Sequence, residues 1–316
     1  GSMNIVAATT NGGTLSALNG GQLVLSANVT GLPSGSIVAG AGSQVLQNSV
    51  TVSGTINTTG SGLFTATNSG ANVLNGVTLN GALDLASATA SERVLNNLVL
   101  NGNINLNANS ILNFEGNNTL SGNGVITLGN TGSSNRIGID NSGTLTVDSN
   151  VLIHGQNGSI GQPIFIGGSS TLVNKGTVSA DVAGGLITIV ANTVTNNGTL
   201  SATAGTLSLN NAINGTGTLL TSGTGQVNVG ASSTVGILVN NGTGASALNL
   251  GTSNITVSSD YSNANWGSGN SFSRRANVNG TGQILAAGDV SQTLSGANVT
   301  GGNTGNQAAT TVTRAL

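Results

Sequence analysis

Hydrolysis of a glycosidic bond asks for two carboxylates about 5–10 Å apart. A polysaccharide lyase asks for acids clustered around calcium beside a proton acceptor. The chain carries eight acids: Asp84, Glu92, Glu115, Asp140, Asp148, Asp181, Asp260 and Asp289. Asp140 and Asp148 flank a single turn-and-strand unit, "DNSGTLTVD", and are the nearest thing to a pair. The separations of Asp84 from Glu115 (31) and of Asp148 from Asp181 (33) fit poorly with the repeat length derived below. His154 is the only histidine and stands at a strand end, after Val151-Leu152-Ile153, where a surface or capping role is expected. There is no cysteine, and the calcium-binding nonapeptide G-G-x-G-x-D is missing. The expectation is therefore a chain without catalytic residues, without a metal site and without a cofactor, in which Asp140 and Asp148 are solvated turn acids.

One stretch departs from this plainness. Residues 260–275, "DYSNANWGSGNSFSRR", hold the only tyrosine (Tyr261), the only tryptophan (Trp266), one of four phenylalanines (Phe272) and the only adjacent arginines (Arg274, Arg275). Exposed aromatic faces stack on sugar rings and arginine bonds hydroxyls or carboxylates, so these five residues are the candidate ligand-binding set. The competing reading is a seam. A loop would leave the wall here and fold back, with Trp266 and Phe272 covering bare apolar edge and an arginine paired to Asp260. The seam is favoured, because the repeated words of the chain end where this stretch begins.

Those words are the main signal. "VLNGVTLNGALDL" (73–85) aligns without a gap to "VLNNLVLNGNINL" (94–106) at an offset of 21, and Asn123-Gly124 follows Asn101-Gly102 at 22. "VLQNSVTVSGTIN" (45–57) is a looser copy that places Gly54 27 residues before Gly81. Downstream come "NSGTL" at Gly143, "NKGTV" at Gly176, "NNGTL" at Gly198, "NGTGTL" at Gly217 and "NNGTG" at Gly242, spaced 33, 22, 19 and 25. The 33 hides either two short units or an inserted loop around "IHGQNGSIGQPIF". Within units, apolar residues alternate with small polar ones, as at Leu83/Leu85, Ile104/Leu106, Leu207/Leu209 and Val227/Val229. Period 2 means strands with one buried face, and no stretch sustains a helical period.

A unit of about 20 residues made of strand and turn cannot bury its own face, so units must stack. The fold expected is all-β: a right-handed parallel β-helix, or β-solenoid, of about a dozen coils of roughly 19–25 residues. Residues 4–255 form the repeat domain and 256–316 the C-terminal coils with the atypical loop, while Gly1-Ser2-Met3 reads as a cloning remnant. Each Asn-Gly is expected to supply left-handed backbone at a corner. Asn80, Asn101 and Asn123 are expected to stack at one such corner, about 5 Å apart, in a ladder of amide hydrogen bonds.

Composition narrows the partners. Charged residues make up 4%, the net charge is −2, and the six basic residues are scattered apart from one pair. Nucleic acid and anionic membrane need clustered basic residues, so neither is expected as a partner. No apolar run approaches the roughly 18 residues of a membrane span. With 37% hydrophobic residues and only two prolines, the chain buries a core despite its 51 glycines.

"LVNKGTVSADVAGGLITI", "VTNNGTLSATAGTLSL" and "NGTGTL" resemble the passenger repeats of bacterial autotransporters and filamentous-haemagglutinin-like adhesins, over roughly residues 45–250. The resemblance implies an extracellular or surface-anchored β-helix, outer-membrane-associated and commonly adhesive, that belongs to a larger chain. Its partners would be host cells, neighbouring cells, abiotic surfaces or glycans. It carries no catalytic residues, and neither an N-P-N-type secretion motif nor a C-terminal barrel is found. The alternatives are a polysaccharide-binding or polysaccharide-degrading β-helix and an ice-binding solenoid, the last requiring T-x-T on one face of successive coils.

Overall fold

The computed structural model describes residues 1–86, 89–129, 134–243 and 247–259, and beyond them the strands Tyr261–Asn263, Val278–Gly280, Gln283–Ala286, Val290–Gln292 and Ala309–Val312. Among the described residues every regular element is a strand. The strands pair in parallel and stack as a β-solenoid of about 11 turns. Two compact units divide the chain: residues 1–153 with 157–172, and residues 154–156 with 173–316.

In the first unit a turn of the solenoid has three strands, as in Asn103–Leu106, Ile111–Glu115 and Asn118–Ser121. The next turn lays Val125–Leu128, Arg136–Asp140 and Thr144–Val147 alongside them. Asn103 pairs with Val125, Ile111 with Arg136 and Thr119 with Thr146. Alternation sends Ile104, Leu106, Leu112, Phe114 and Leu120 inward, onto Ile126, Leu128, Ile137, Ile139 and Val147 of the following turn, and all ten are fully buried. Some turns merge two faces into one bent strand. Ser91–Leu100 bends at Asn96 and Asn97, which adopt φ of 56° and 74°, a region asparagine tolerates better than branched residues. Ser2 and Met3 pair with Gln22 and Leu23 as part of the first strand.

Because each turn leans only on its neighbours, a hole in one should be felt locally. Phe114 is among the largest side chains with no exposure. Phe114→Ala is expected to cost about 3–5 kcal/mol. Amide protection should fall first in Ser91–Leu100 and Arg136–Asp140, the strands that flank it.

The second unit repeats the plan. Thr177–Ala180, Thr199–Ala202, Thr218–Gly223 and Ile237–Gly242 follow one another on one face, with Val178, Leu200, Leu219 and Leu238 stacked inward. Leu186–Ile189, Thr206–Leu209 and Gln226–Val229 make a second face. Ser233–Val235, Ile255–Val257, Gln283–Ala286 and Ala309–Val312 make another.

The asparagine corner forms as a chain of side-chain amides. Asn80 Nδ2 donates to Asn57 Oδ1 and Asn101 Nδ2 to Asn80 Oδ1, each at 2.9 Å. Asn123 continues the register, since Val99 pairs with Ser121 and Asn103 with Val125. The glycines beside them need correction. Gly81 has φ of +132°, but Gly102 and Gly124 do not have positive φ. Their reason is crowding: a Cβ on Gly102 would lie 2.0 Å from the Gly81 carbonyl oxygen, and one on Gly124 2.2 Å from Leu100 Cγ. The same holds for Gly198 and Gly217, where the obstructing atoms are the carbonyl oxygens of Gly176 and Gly198.

Register also corrects the alignment of the words. Gly54 pairs with Val77, not with Gly81. Gly143 leads into Thr144–Val147 and Gly176 into Thr177–Ala180, strands of different faces, so the spacing of 33 is not one repeat. Gly242 closes its strand, and Gly236 holds the corner position above Thr216.

Candidate functional site

The described outer surface of the first unit carries a polar groove of about 430 Å³, lined by Asn97, Asn117, Asn118, Thr119, Thr144 and Thr146. The turns place them. Asn97 Oδ1 accepts the Thr119 N–H and Asn117 Oδ1 accepts the Thr144 N–H, at 2.8 and 3.1 Å. Asn118 is buried, with Oδ1 accepting the Asn97 N–H and Nδ2 donating to the Glu115 carbonyl. The asparagine oxygens are thus spent on backbone, which fixes the exposed side chains of Asn97 and Asn117 beside Thr119, Thr144 and Thr146. Such a surface offers hydrogen bonds to neutral, polyhydroxylated ligands and no charge to steer an ion.

Next to it the wall bears the chain's densest described group of charges. Arg93 Nε and Nη2 donate to the two carboxylate oxygens of Glu115, and Nη1 donates to the Gly70 carbonyl at 3.0 Å. The hydrogen bond to Glu115 raises the Arg93 pKa above its ordinary value. Asp140 has no exposure. Burial pushes its carboxyl up, but the N–H groups of Phe165, Gly167, Ile164 and Ile166 outweigh it and hold the group below its ordinary value. Three of these bonds measure 2.7–3.0 Å.

Asp140 is therefore not one half of a free carboxylate pair with Asp148, as the turn-and-strand spacing suggested, nor a solvated turn acid. It is a latch for residues 161–168. In the second unit His154 Nδ1 lies 2.8 Å from Asp181 Oδ2, both side chains about one-third exposed. Glu92 is the opposite of a solvated acid. It sits inside the core with no exposure, next to Gln47, whose Nε2 lies 3.4 Å from its Oε1. Among the described residues no three of His, Cys, Asp and Glu gather as a metal site would require, and no helix is long and apolar enough to cross a membrane.

Of the sequence-derived candidate set, Trp266, Phe272, Arg274 and Arg275 lie outside the described residues, as does Asp260. Tyr261 belongs to strand Tyr261–Asn263, and its backbone pairs with Leu238 and Val290. The threonine words fall partly into register: Thr177, Thr199 and Thr218 are successive, but the companion column runs Ser179, Ser201, Leu220, which is not a repeated T-x-T array. The Arg93–Glu115 pair was findable from sequence, since its separation of 22 is one coil. The latch was not, because its partners are backbone groups of an insertion.

Fold and surface together define a parallel β-solenoid with a polar, hydroxyl- and amide-rich exterior. Comparison of the chain with family models, curated proteins and solved structures returns no match.

Proposed function

We propose that this chain is a non-catalytic structural and adhesive segment of a large bacterial surface or secreted protein, working outside the cell and binding cells or surfaces through their glycans. The observation that carries this is the Asn–Thr groove, where three asparagines and three threonines are held in place by the stacking of turns. The N-x-G-T words, which resemble passenger repeats of adhesins, support the same reading. A non-catalytic role is supported by the engagement of Asp140 with backbone N–H groups.

The test is a neutral-glycan array followed by whole-cell adhesion. A chain with Thr119→Val, Thr144→Val and Thr146→Val keeps side-chain volume and removes three hydroxyls. It should fold normally and lose roughly 30- to 150-fold in affinity, as expected for two or three hydrogen bonds of about 1 kcal/mol each. Unchanged adhesion by a folded triple variant would remove the groove from this role.

A further inference from the structure

Residues 161–168 leave the wall between strands Asn157–Ile160 and Thr171–Asn174. Glycines stand at both ends in left-handed backbone: Gly161 with φ of 101°, Gly167 with 90° and Gly168 with 105°. Such positions absorb large backbone rotations at little steric cost. Between them Gln162-Pro163-Ile164-Phe165-Ile166 arches back over earlier turns. Ile164 sits against Gly138, where a Cβ would meet its Cδ1 at 2.6 Å. The Phe165 ring lies 5.9 Å from the Arg93 guanidinium and also touches Gly70. One carboxylate, Asp140, holds the arch by three backbone N–H groups, and its two ends are tied to the strand beneath by the Ile139 N–H on the Gln162 carbonyl (3.3 Å) and the Asn141 N–H on the Gly167 carbonyl (2.8 Å).

What the arch covers is polar. Register sets Arg93 beside Asn113, Asn113 beside Gly138, and Ile111 beside Arg136, all on the outward-facing side. Both Asn113 Oδ1 and Nδ2 are buried without a partner, and so is Arg136 Nε. Arg93 is neutralised by Glu115, whereas Arg136 has no ion pair among the described residues. Buried polar atoms are nearly always bonded, so an amide with both ends unpaired marks a surface built to meet something else. The cover itself exposes apolar side chains, with Phe165 at 40% and Ile166 at 54% exposure, which a permanent seal of the wall would not need.

We propose that residues 161–168 are a lid hinged on their glycines, and that the strip beneath binds an acidic sugar through Asn113 and Arg136. Arg136 Nε–H and Asn113 Nδ2 donate to the carboxylate, and Asn113 Oδ1 accepts from a neighbouring hydroxyl. That pairing of carboxylate and hydroxyl belongs to a uronate rather than to an acidic peptide. The lid is independent of the groove: loss of adhesion in the threonine variants bears on the groove alone.

The experiment combines hydrogen exchange with titration of the full chain by hyaluronan oligosaccharides, whose glucuronate units carry the probe chemistry. Lid amides are expected to exchange faster than those of Ile111–Glu115, and the ligand should accelerate them further. Asp140→Ala unlatches the lid and should tighten binding about tenfold, because a closed state taxes apparent affinity. Phe165→Ala, at an exposed position, should do the same more weakly, and serves if Asp140→Ala does not fold. Arg136→Gln should abolish binding while leaving lid exchange unchanged. The proposal is overturned by lid amides as protected as the wall beneath them, by binding that does not tighten in either unlatched variant, by equal binding of polyglutamate, or by no uronate binding at all.

Discussion

Gly102→Val is expected to destabilise the chain strongly, by about 3 kcal/mol or more, the upper end of overpacking costs. The added Cβ would stand 2.0 Å from the Gly81 carbonyl oxygen and 2.5 Å from its nitrogen, and these atoms belong to backbone that both turns need for their ladder. Strands Ala82–Leu85 and Asn103–Leu106 pair across this contact and cannot separate without losing their hydrogen bonds. Gly116 is the control. It has φ of +69° and open space around the missing Cβ. Gly116→Asn should therefore cost under about 1 kcal/mol, since asparagine tolerates that backbone region. Amide exchange in the two strands reads the difference. Equal protection in both variants would show that crowding by the neighbouring turn is not what demands glycine at position 102.

Glu92→Gln should act in the other direction and stabilise the chain, increasingly so as pH rises. Burial is the main cause of the Glu92 carboxyl standing well above the usual range, and its bonds to Gln47, Arg93 and Leu74 offset this only in part. Its Oε2 has no partner, nor has Gln47 Oε1. In the unfolded chain the same group loses its proton at the ordinary glutamate value, so the folded state holds a proton that the unfolded state has released. Stability is thus full below the ordinary value and falls as pH climbs through the window up to the raised one. Glutamine has the same shape and nothing to titrate. The variant should match the wild type in acid and exceed it by roughly 1–3 kcal/mol near neutrality, the scale of a buried, poorly partnered polar group. Denaturation midpoints between pH 4 and 8 provide the measurement, and parallel curves for the two proteins would refute the assignment. Asp140 has the opposite sign. Its lowered value contributes stability present above the ordinary aspartate range and lost as pH falls through the lowered one, and lid exchange should accelerate there.

The sequence by itself determined the class of this protein. Alternation in pairs such as Leu83/Leu85 and Ile104/Leu106 specifies one buried face, and gapless self-similarity at 21 residues specifies stacking of like on like. Those are local and nearest-neighbour properties, and in a solenoid they are nearly all the fold requires. The Asn80–Asn101 contact was legible for the same reason, since a fixed offset becomes a fixed neighbour, whereas Asn57 joins it at 23 residues, where the alignment of Gly54 with Gly81 had not placed it. Tertiary structure decided whatever depends on where a turn gains or loses a residue. Gly143 leads into a strand of one sheet, while Gly124 before it and Gly176 after it lead into strands of another, so Gly143 and Gly176 are not equivalent although both read N-x-G-T. Which glycines lack a side chain because of φ, and which because a carbonyl of the adjacent turn lies beneath them, is likewise invisible in a single strand. The same holds for Glu92 and Asp140. Asp140 was read as a turn acid and nothing beside Glu92 in sequence marks it as enclosed, yet Glu92 is enclosed by the core and Asp140 by a loop arriving from 24 to 27 residues away. A carboxylate's surroundings are set by the turns above and below it, and sequence order does not carry them.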